Sequence, residues 1–367
     1  MEATLAFVVR NSETGQPIEG AGVILSVGQE GRTNGDGYAA FQVPLGWLSY
    51  SVHKAGYQDV FSDPPIEVTG NRDVPVSLVP KFGRISAPPG LDLIRNGERW
   101  FGKGATFFLG YDRFLAGEDI RPQLEQLQAL GANCVDVWAS YWNIAINRGR
   151  PPFHVGFRAD GLPRLPEFHA LLAEYDLYAL WVAFADPRLF DKPTSWEVDF
   201  WNRFNAALDP IANVCSIILN NEHNAHSFNR VDRSAFQPPP RHVGIASSFT
   251  AMKTDEALAY YAVAKWQAGA LHHGRKWPTV LKDAVTADHT FQKDINHQSP
   301  VWLDEPISAD PLAAGDPLQT PDMFARMARI ASASACGIVF HSADGKSAQL
   351  YGGYTLERAR AFFGALT

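Results

Sequence analysis

The chain has 367 residues, more than one domain usually holds, which predicts two domains. Hydrophobic residues make up 46% and charged residues 19%, so the chain can bury a sizeable core. The formal net charge of −7, with no basic face evident, argues against a nucleic-acid partner, and no apolar run approaches the roughly 20 residues needed to span a bilayer.

The cysteines and the first residues point to little additional chemistry. Cys134, Cys215 and Cys336 have no metal-like spacing, and each lies in or beside an apolar run, which predicts buried free thiols. The start Met-Glu-Ala-Thr lacks the basic first segment and apolar core of a signal peptide. The sequence does not indicate a cellular compartment. A secreted or surface-associated protein is expected only if a leader has been removed.

Residues 1–80 have the pattern of an all-β domain. Short, partly alternating apolar runs are separated by turn dipeptides such as Asn34-Gly35 and Asp36-Gly37, and no helical period intervenes. This pattern predicts a small β-sandwich. The expected strands are Thr4–Val9, Val23–Val27, Ala39–Val43, Leu48–Val52 and Val74–Val79.

Three segments of this domain resemble a known module. Thr14–Val23, Gly31–Phe41 and the tetrapeptide Lys54–Tyr57 are similar to the carboxypeptidase regulatory-like (transthyretin-like) sandwich. The resemblance implies an appendage without chemistry of its own, which positions a catalytic domain or binds a partner. Residues 1–80 contain no clustered acids, histidines or cysteines that would argue for a catalytic role.

A linker and a hairpin lead into the second domain. Residues 81–92 have the proline- and serine-containing composition of a linker. The runs Leu91–Arg95 and Glu98–Phe101 predict a hairpin that turns at Asn96-Gly97.

From about residue 93 strands and helices alternate to residue 367, which predicts parallel strands, helical crossovers and a (β/α)8 TIM barrel. The expected strands are Ala105–Leu109, Asn133–Trp138, Leu177–Phe184, 214–222, Thr279–Lys282, Asp294–His297, Pro300–Glu305 and Gly337–His341. The expected helices are Asp119–Leu130, Leu165–Tyr175, Ser195–Leu208, Thr254–His272, Pro321–Ala335 and Leu356–Leu366. Residues 223–253 are expected to form a long loop, and 283–299 leave little room for ordinary crossover helices.

Two of the predicted strands end in carboxylates. The run 214–222 is apolar until it stops at Asn220-Asn221-Glu222, and the run 300–305 stops at Asp304-Glu305. Polar groups that appear where a parallel strand ends lie at the edge of the barrel that holds active sites. Retaining hydrolysis of a glycosidic bond needs two such carboxyls about 5–5.5 Å apart, one protonated and one ionised. The pair Glu222 and Glu305 therefore predicts glycoside hydrolysis.

The same residues match a family pattern. Asn221-Glu222 ending a fourth strand and a glutamate ending a seventh resemble clan A of the glycoside hydrolases. Three further segments are similar to the hairpin before the first strand, the passage into the second strand and the last strand of that clan: Arg95–Gly104, Leu127–Trp138 and Gly337–Ser342. The resemblance implies a carbohydrate substrate, with Glu222 as acid/base and Glu305 as nucleophile.

Other side chains near strand ends are candidates for binding the sugar. Asn221 is suited to hydrogen-bond the hydroxyl beside the reacting carbon, and aromatic rings stack on sugar faces. Arg113 is a candidate replacement for the arginine that many clan members carry where this chain has Asp136. The expected substrate contacts are Asn221, Trp138, Tyr111, Trp181, His297, His341 and Arg113.

The assignment of the acids has alternatives. Asp304 is a second candidate nucleophile, but neighbouring strand residues face opposite sides, so only one of Asp304 and Glu305 can reach the sugar. Asp186 and Asp191 form another candidate acid couple.

The class of activity also has two alternatives, one of which is a structural or surface-attachment protein whose β-sandwich is the active part. Asp136 and the strand end Phe340-His341, where cellulase-like members usually carry tryptophan, favour a non-catalytic carbohydrate-binding or scaffold protein on a degenerate barrel. The chain contains no phosphate loop, HExxH helix or cysteine pair, so neither a metal nor a nucleotide cofactor is expected.

Overall fold

The computed structural model of the protein describes residues 2–54, 56–86, 92–141, 153–184, 194–220, 244–249, 270–273, 301–304, 320–334 and 336–366. The chain forms two compact units, Met1–Gly83 (unit 1) and Arg84–Thr367 (unit 2), and the division falls within the segment 81–92 that the sequence predicts as a linker. In the described ranges, no helix has the length and apolar character needed to cross a membrane.

Unit 1 is built from short strands whose apolar residues alternate. The strands are β1 (Glu2–Asn11), β2 (Gly22–Leu25), β3 (Glu30–Arg32), β4 (Tyr38–Pro44), β5 (Gly46–Leu48), β6 (Tyr50–His53), β7 (Val60–Phe61), β8 (Ile66–Val68) and β9 (Arg72–Leu78). They form three sheets, with the orders β4-β1-β9, β3-β2-β6-β7 and β5-β8. In β4 every second side chain is buried, so one face of the strand packs inward and the other meets solvent.

The three sheets of unit 1 contribute to one apolar core. Phe7 is fully buried there, and its ring centroid lies 5.9 Å from that of Phe41 and 5.0 Å from that of Tyr50. Gly37 has a φ of 74°, and a Cβ at this position would lie 2.4 Å from the Val9 carbonyl oxygen, so the turn before β4 requires glycine. The β-rich character agrees with the sequence, whereas the two-layer sandwich and its family resemblance stay predictions.

Unit 2 begins with a small antiparallel sheet. Its strands are β10 (Ile85–Ser86), β11 (Leu93–Arg95) and β12 (Glu98–Trp100). Asn96 and Gly97 have φ values of 55° and 81°, as a two-residue hairpin turn requires, and this is the turn that the sequence predicts. The ring of Trp100 lies 5.3 Å from that of Tyr178, the first residue of a barrel strand, so the hairpin packs at the amino ends of the barrel strands.

Eight parallel strands of unit 2 close into a barrel, which confirms the predicted barrel architecture. In order around the barrel they are β13 (Gly102–Thr106), β14 (Cys134–Trp138), β17 (Tyr178–Phe184), β18 (Val214–Asn220), β19 (Gly244–Phe249), β20 (Ala270–His273), β21 (Val301–Asp304) and β22 (Gly337–Phe340). An antiparallel pair, β15 (Ser140–Tyr141) and β16 (Phe153–His154), follows β14. Every residue of β17 is buried, as expected for a strand with the lumen on one face and helices on the other.

The fifth and sixth barrel strands differ from the prediction. The fifth, β19, lies within the segment 223–253 that the sequence predicts as a loop, because its Gly-Ile-Ala-Ser-Ser-Phe composition gives no apolar alternation. The sixth, β20, begins at Ala270, inside the helix predicted for Thr254–His272. The strands predicted for Thr279–Lys282 and Asp294–His297 lie outside the described residues.

Helices cover the outside of the barrel. Among the described residues they are α1 (Gly110–Leu115), α2 (Arg121–Leu130), α3 (Leu165–Glu174), α4 (Thr194–Leu208), α5 (Pro321–Ser334), α6 (Ala343–Lys346) and α7 (Gly353–Gly364). Pro122 stands in the first turn of α2, and Gly131 ends the helix with a φ of 88°. Residues three or four positions apart on α4 are buried, among them Phe200, Phe204 and Leu208, so this helix presents one apolar face to the barrel.

A closed hydrogen-bond network lies between the barrel and α3. The indole nitrogen of Trp181 donates to Nε2 of His169 at 2.9 Å, and Nδ1 of His169 lies 2.9 Å from Oδ1 of Asn213. The Asn213 side-chain amide donates to the carbonyls of His169 at 2.9 Å and Leu177 at 3.1 Å. Since Nε2 accepts, Nδ1 carries the proton, and every polar atom of the three side chains has a partner.

Candidate active site at the barrel mouth

The lumen face of the barrel can be identified from packing. Phe340 of β22 contacts the rings of Phe324 on α5 and Phe362 on α7, so it points outward. Val339 therefore points inward. A Cβ on Gly104 would lie 3.0 Å from Val339 and 3.3 Å from Cys134, which places Cys134 in the lumen as well.

Strand alternation then places Asp136 and Trp138 on the lumen side of β14, above Cys134. Trp138 lies at the carboxyl end of the strand, the end that we call the mouth. Its ring stacks on Phe108, which follows β13, with 3.8 Å between centroids and an angle of 17°. His341 follows β22 and lies 6.3 Å from Phe108, so two predicted substrate contacts, Trp138 and His341, meet around one phenylalanine.

The hydrogen bonds around Trp138 and around His341 differ. Trp138 is only 4% exposed, and its indole N–H has no hydrogen-bond partner among the described residues. Next to His341, the backbone N–H of Ser342 donates to Oγ1 of Thr106 at 3.3 Å, and Oγ of Ser342 accepts from the N–H of Gly345 at 2.9 Å. These bonds fix the path of the chain where it leaves β22.

Asp136 is an acidic residue inside the barrel, and it is only 1% exposed.

The three cysteines are free and buried, as the sequence predicts, and burial raises the pKa of the Cys134 and Cys336 thiols, which keeps them protonated.

Three other predicted substrate contacts have structural partners. Tyr111 and Trp181 are fully buried, with 5.4 Å between their ring centroids, and both also contact Phe168 of α3. Arg113 forms an ion pair with Glu118 at 2.6 Å and donates to the carbonyls of Ser347 and Ala348.

These positions explain Tyr111 and Trp181 as packing between the barrel and its helices, where no sugar face can reach the rings. The guanidinium of Arg113 ties α1 to the segment after α6 instead of replacing a cation in the lumen.

The sequence did not indicate two buried titratable residues near the mouth. His154 ends β16, and burial, with a smaller effect of Arg203, lowers its pKa to about 3. Glu197 lies in the first turn of α4, is 1% exposed, and burial raises its pKa to about 7. Both carboxylate oxygens of Glu197 lack hydrogen-bond partners among the described residues. Such perturbed groups are common near functional sites, but no sequence pattern marks them.

The hairpin β15–β16 is anchored at this end of the barrel. The Tyr141 hydroxyl donates to Oδ2 of Asp112 at 2.7 Å, and both residues are buried. Oγ of Ser140 donates to the Ala183 carbonyl at 2.7 Å. The His154 ring contacts Trp196 and Phe200 of α4 at 5.0 and 4.5 Å.

The predicted acids follow the fourth and seventh strands of the closed barrel. The fourth strand, β18, ends at Asn220, and the seventh, β21, ends at Asp304. Asn221, Glu222, Glu305 and His297 lie outside the described residues, as do Asp186 and Asp191. In the described part of the chain, no group of three or more His, Cys, Asp or Glu residues is arranged to hold a metal ion.

Comparisons with known proteins bear on the fold. No family model matches the chain, and no curated protein matches its sequence. A glycoside hydrolase family 5 mannosidase from Rhizomucor miehei is similar in structure, with a TM-score of 0.56 and 12% identity, over 78% of this chain and 98% of that chain. A glycoside hydrolase family 5 protein from Bacteroides vulgatus has a TM-score of 0.52 and 14% identity, over 73% of this chain and 64% of that chain.

A β-mannanase from the blue mussel Mytilus edulis has a TM-score of 0.50 and 12% identity, over 76% of this chain and 96% of that chain. At such identities the common feature is the fold. Unit 2 thus has the barrel fold seen in glycoside hydrolase family 5 structures.

Proposed function

We propose that the protein is a retaining glycoside hydrolase, in which Glu222 is the acid/base and Glu305 the nucleophile. The observation that carries the proposal is the position of these residues in the chain. Glu222 stands two residues after the fourth strand of a closed parallel barrel, and Glu305 directly follows the seventh. The carboxyl ends of parallel strands meet at one edge, so two acids from separate strands can face the same sugar.

The reaction needs different protonation states in the two acids. The Glu305 carboxylate attacks the anomeric carbon while protonated Glu222 gives its proton to the departing glycosidic oxygen, which leaves a covalent glycosyl-enzyme. Glu222, now ionised, removes a proton from water, and the water oxygen displaces Glu305 from the anomeric carbon. Two inversions restore the configuration of the substrate.

The described side chains at the mouth have supporting roles in this proposal. Trp138 offers a buried indole donor close to the sugar, and His341 flanks it directly after the last strand. Asn221 and His297 complete the set of polar contacts that orient the sugar ring. The names of two similar structures, a mannosidase and a β-mannanase, make β-mannan the first polysaccharide to test.

The test is a set of isosteric variants assayed with β-mannan, cellulose, xylan and aryl glycosides. Glu305→Gln and Glu222→Gln remove one carboxylate each, and we expect kcat/KM to fall by at least about a thousandfold on polysaccharide. Asp304→Asn examines the alternative nucleophile. Glu167→Gln on α3, an exposed partner of Arg164 at 2.9 Å, is the matched control and should remain within about twofold of the parent. Undiminished turnover by Glu305→Gln would refute the nucleophile assignment.

The leaving group separates the two roles. A dinitrophenolate departs without protonation, so Glu222→Ala should lose far less activity in the first step on a dinitrophenyl glycoside than on polysaccharide. Glu305→Ala should be equally impaired on both substrates, because attack on the anomeric carbon is lost in each case.

A second candidate function is favoured by Asp136. Its buried carboxylate lies in the lumen, where the resemblance to clan A leads one to expect arginine. A non-catalytic carbohydrate-binding protein on this barrel would bind glycans without releasing sugar. Calorimetric binding of mannan oligosaccharides with no product after prolonged incubation would favour this candidate over the hydrolase.

A further inference from the structure

Unit 1 contains a groove that is lined by most of the unit's lysines and arginines. The groove has a volume of about 710 Å³ and lies on the outer face of the sheet β3-β2-β6-β7. Residues 1–83 hold five lysines and arginines against nine aspartates and glutamates, so the unit is acidic. Three of those five cations, Arg32, Lys54 and Lys81, nevertheless line this one groove.

The floor of the groove is created by a glycine. Gly22 of β2 pairs with Arg32 of β3 on one side and with His53 of β6 on the other. Two strand spacings separate Arg32 from His53, about 10 Å, and the residue between them has no side chain. A Cβ on Gly22 would meet nothing nearer than the His53 carbonyl oxygen at 3.8 Å, so the trough is open above the glycine.

Some polar side chains of the groove are held by hydrogen bonds within unit 1, and others make no such bond with the described residues. Lys54 donates to the Glu19 carbonyl at 2.7 Å, which holds its ammonium beside Gly20. His53 bonds to Asp59 at 3.0 Å through Nδ1 and to Ser51 at 2.8 Å through Nε2. The side chains of Arg32 and Lys81 make no hydrogen bond or ion pair with other described residues.

Apolar surface adjoins these charges. Phe61 of β7 is 66% exposed and its ring lies 5.7 Å from that of His53, while Ile24 of β2 is 46% exposed. Tyr57 closes one end of the groove, where its hydroxyl accepts from Asn11 at 3.2 Å. The groove thus combines cationic side chains with the faces of aromatic rings.

We infer that this groove binds an acidic saccharide, a glycan segment that carries one carboxylate per sugar. Arg32, Lys54 and Lys81 complement the carboxylates, and Tyr57 and Phe61 offer faces to the sugar rings. Glu30 and Asp59 also line the groove. Their carboxylates would repel a dense anion such as phosphate, but they accept hydrogen bonds from sugar hydroxyls. This inference does not depend on the reaction proposed for the barrel.

The first test measures binding of trigalacturonate to the full chain by calorimetry at low salt, with neutral mannotriose for comparison. The double variant Arg32→Ala/Lys81→Ala removes the two available cations, and we expect its affinity for trigalacturonate to fall by about tenfold or more. Arg10→Ala/Arg72→Ala removes two cations of unit 1 that do not line the groove, so it has the same net charge and should bind within about twofold of the parent.

An equal loss in both double variants, or no binding of trigalacturonate by the parent, would overturn the inference. Hydrolysis assays of the barrel variants test the barrel proposal, and trigalacturonate binding by the groove variants tests this one, so failure of either gives a different result.

The second test separates shape from charge. Gly22→Phe fills the trough without changing any charge, and Gly22 has no positive φ that would strain the new residue. We expect this variant to lose trigalacturonate binding, and inorganic phosphate to compete poorly with the saccharide for the parent protein. If Gly22→Phe binds like the parent and phosphate displaces trigalacturonate at equal concentration, the groove is only an anion site and the saccharide assignment is wrong.

Discussion

Two tryptophan–histidine neighbourhoods on the same barrel differ in how completely their hydrogen bonds are satisfied. In the layer outside the strands, Trp181 donates to His169, which is held in turn by Asn213. At the mouth, Trp138 and His341 lie around Phe108, and the Trp138 indole N–H has no partner among the described residues. A completed network indicates a structural role, because no donor or acceptor remains for a ligand. The open donor at the mouth is the kind of group a substrate can satisfy.

The outer network should be the most sensitive to mutation. Asn213→Ala removes the partner of Nδ1–H of His169 and one donor to each of two backbone carbonyls, all in a buried layer. We expect the free energy of unfolding to fall by about 2–4 kcal/mol, as for other buried groups that lose their hydrogen bonds. Urea unfolding monitored by tryptophan fluorescence measures the change. A loss below about 0.5 kcal/mol would show that the network contributes little.

Glu197 should give the next largest effect, and the effect depends on pH. Burial raises its pKa from the ordinary value of 4.5 to about 7, so the folded state binds a proton that the unfolded state has released within this range. The contribution of Glu197 to stability is therefore full below about pH 4.5 and is lost as the pH rises through 7, by up to about 3 kcal/mol.

Glu197→Gln removes this dependence. The difference in unfolding free energy between variant and parent should grow in favour of the variant from pH 5 to pH 8. Glu167→Gln, at an exposed carboxyl on α3, serves as the control and should show a constant difference. A pH-independent difference for Glu197→Gln would mean that the native carboxyl is already ionised at pH 5.

The two tryptophans should separate stability from activity. Trp181→Phe leaves Nε2 of His169 unpaired and should lower the free energy of unfolding by about 1–3 kcal/mol, with kcat unchanged for the folded protein. Trp138→Phe keeps the stack on Phe108, removes an N–H that bonds no described residue, and should lower kcat/KM about tenfold with little change in stability. If Trp181→Phe lowered kcat/KM and Trp138→Phe did not, the structural role assigned to Trp181 and the substrate-binding role assigned to Trp138 would be wrong.

The sequence predicts the barrel strands where a long apolar run ends abruptly. Strands β14, β17, β18, β21 and β22 lie within or close to their predicted limits for this reason. It misses β19, whose two serines and glycine carry no pattern, and β20, which occupies the end of a predicted helix. Pairing with neighbouring strands outweighs local composition at both places.

The candidate site shows a similar division. Because β17 is buried on both faces, its sequence does not reveal that Trp181 points outward, whereas Trp138 at the end of β14 points into the lumen. Glu197 could not be foreseen because an acid in the first turn of a helix usually meets solvent there. The strand-end acids Glu222 and Glu305 remain predictions that rest on the ends of β18 and β21.

Covalent trapping tests the central claim most directly. A 2-deoxy-2-fluoro glycoside with an activated leaving group, of the sugar that the assays identify, slows both steps but allows the first, so the glycosyl-enzyme accumulates. Mass spectrometry of the digested protein should find one fluorosugar on the peptide that contains Glu305, attached to that side chain, and none in Glu305→Gln. A label on Asp304 or any other carboxylate, or hydrolysis that proceeds without any labelled peptide, would contradict the account.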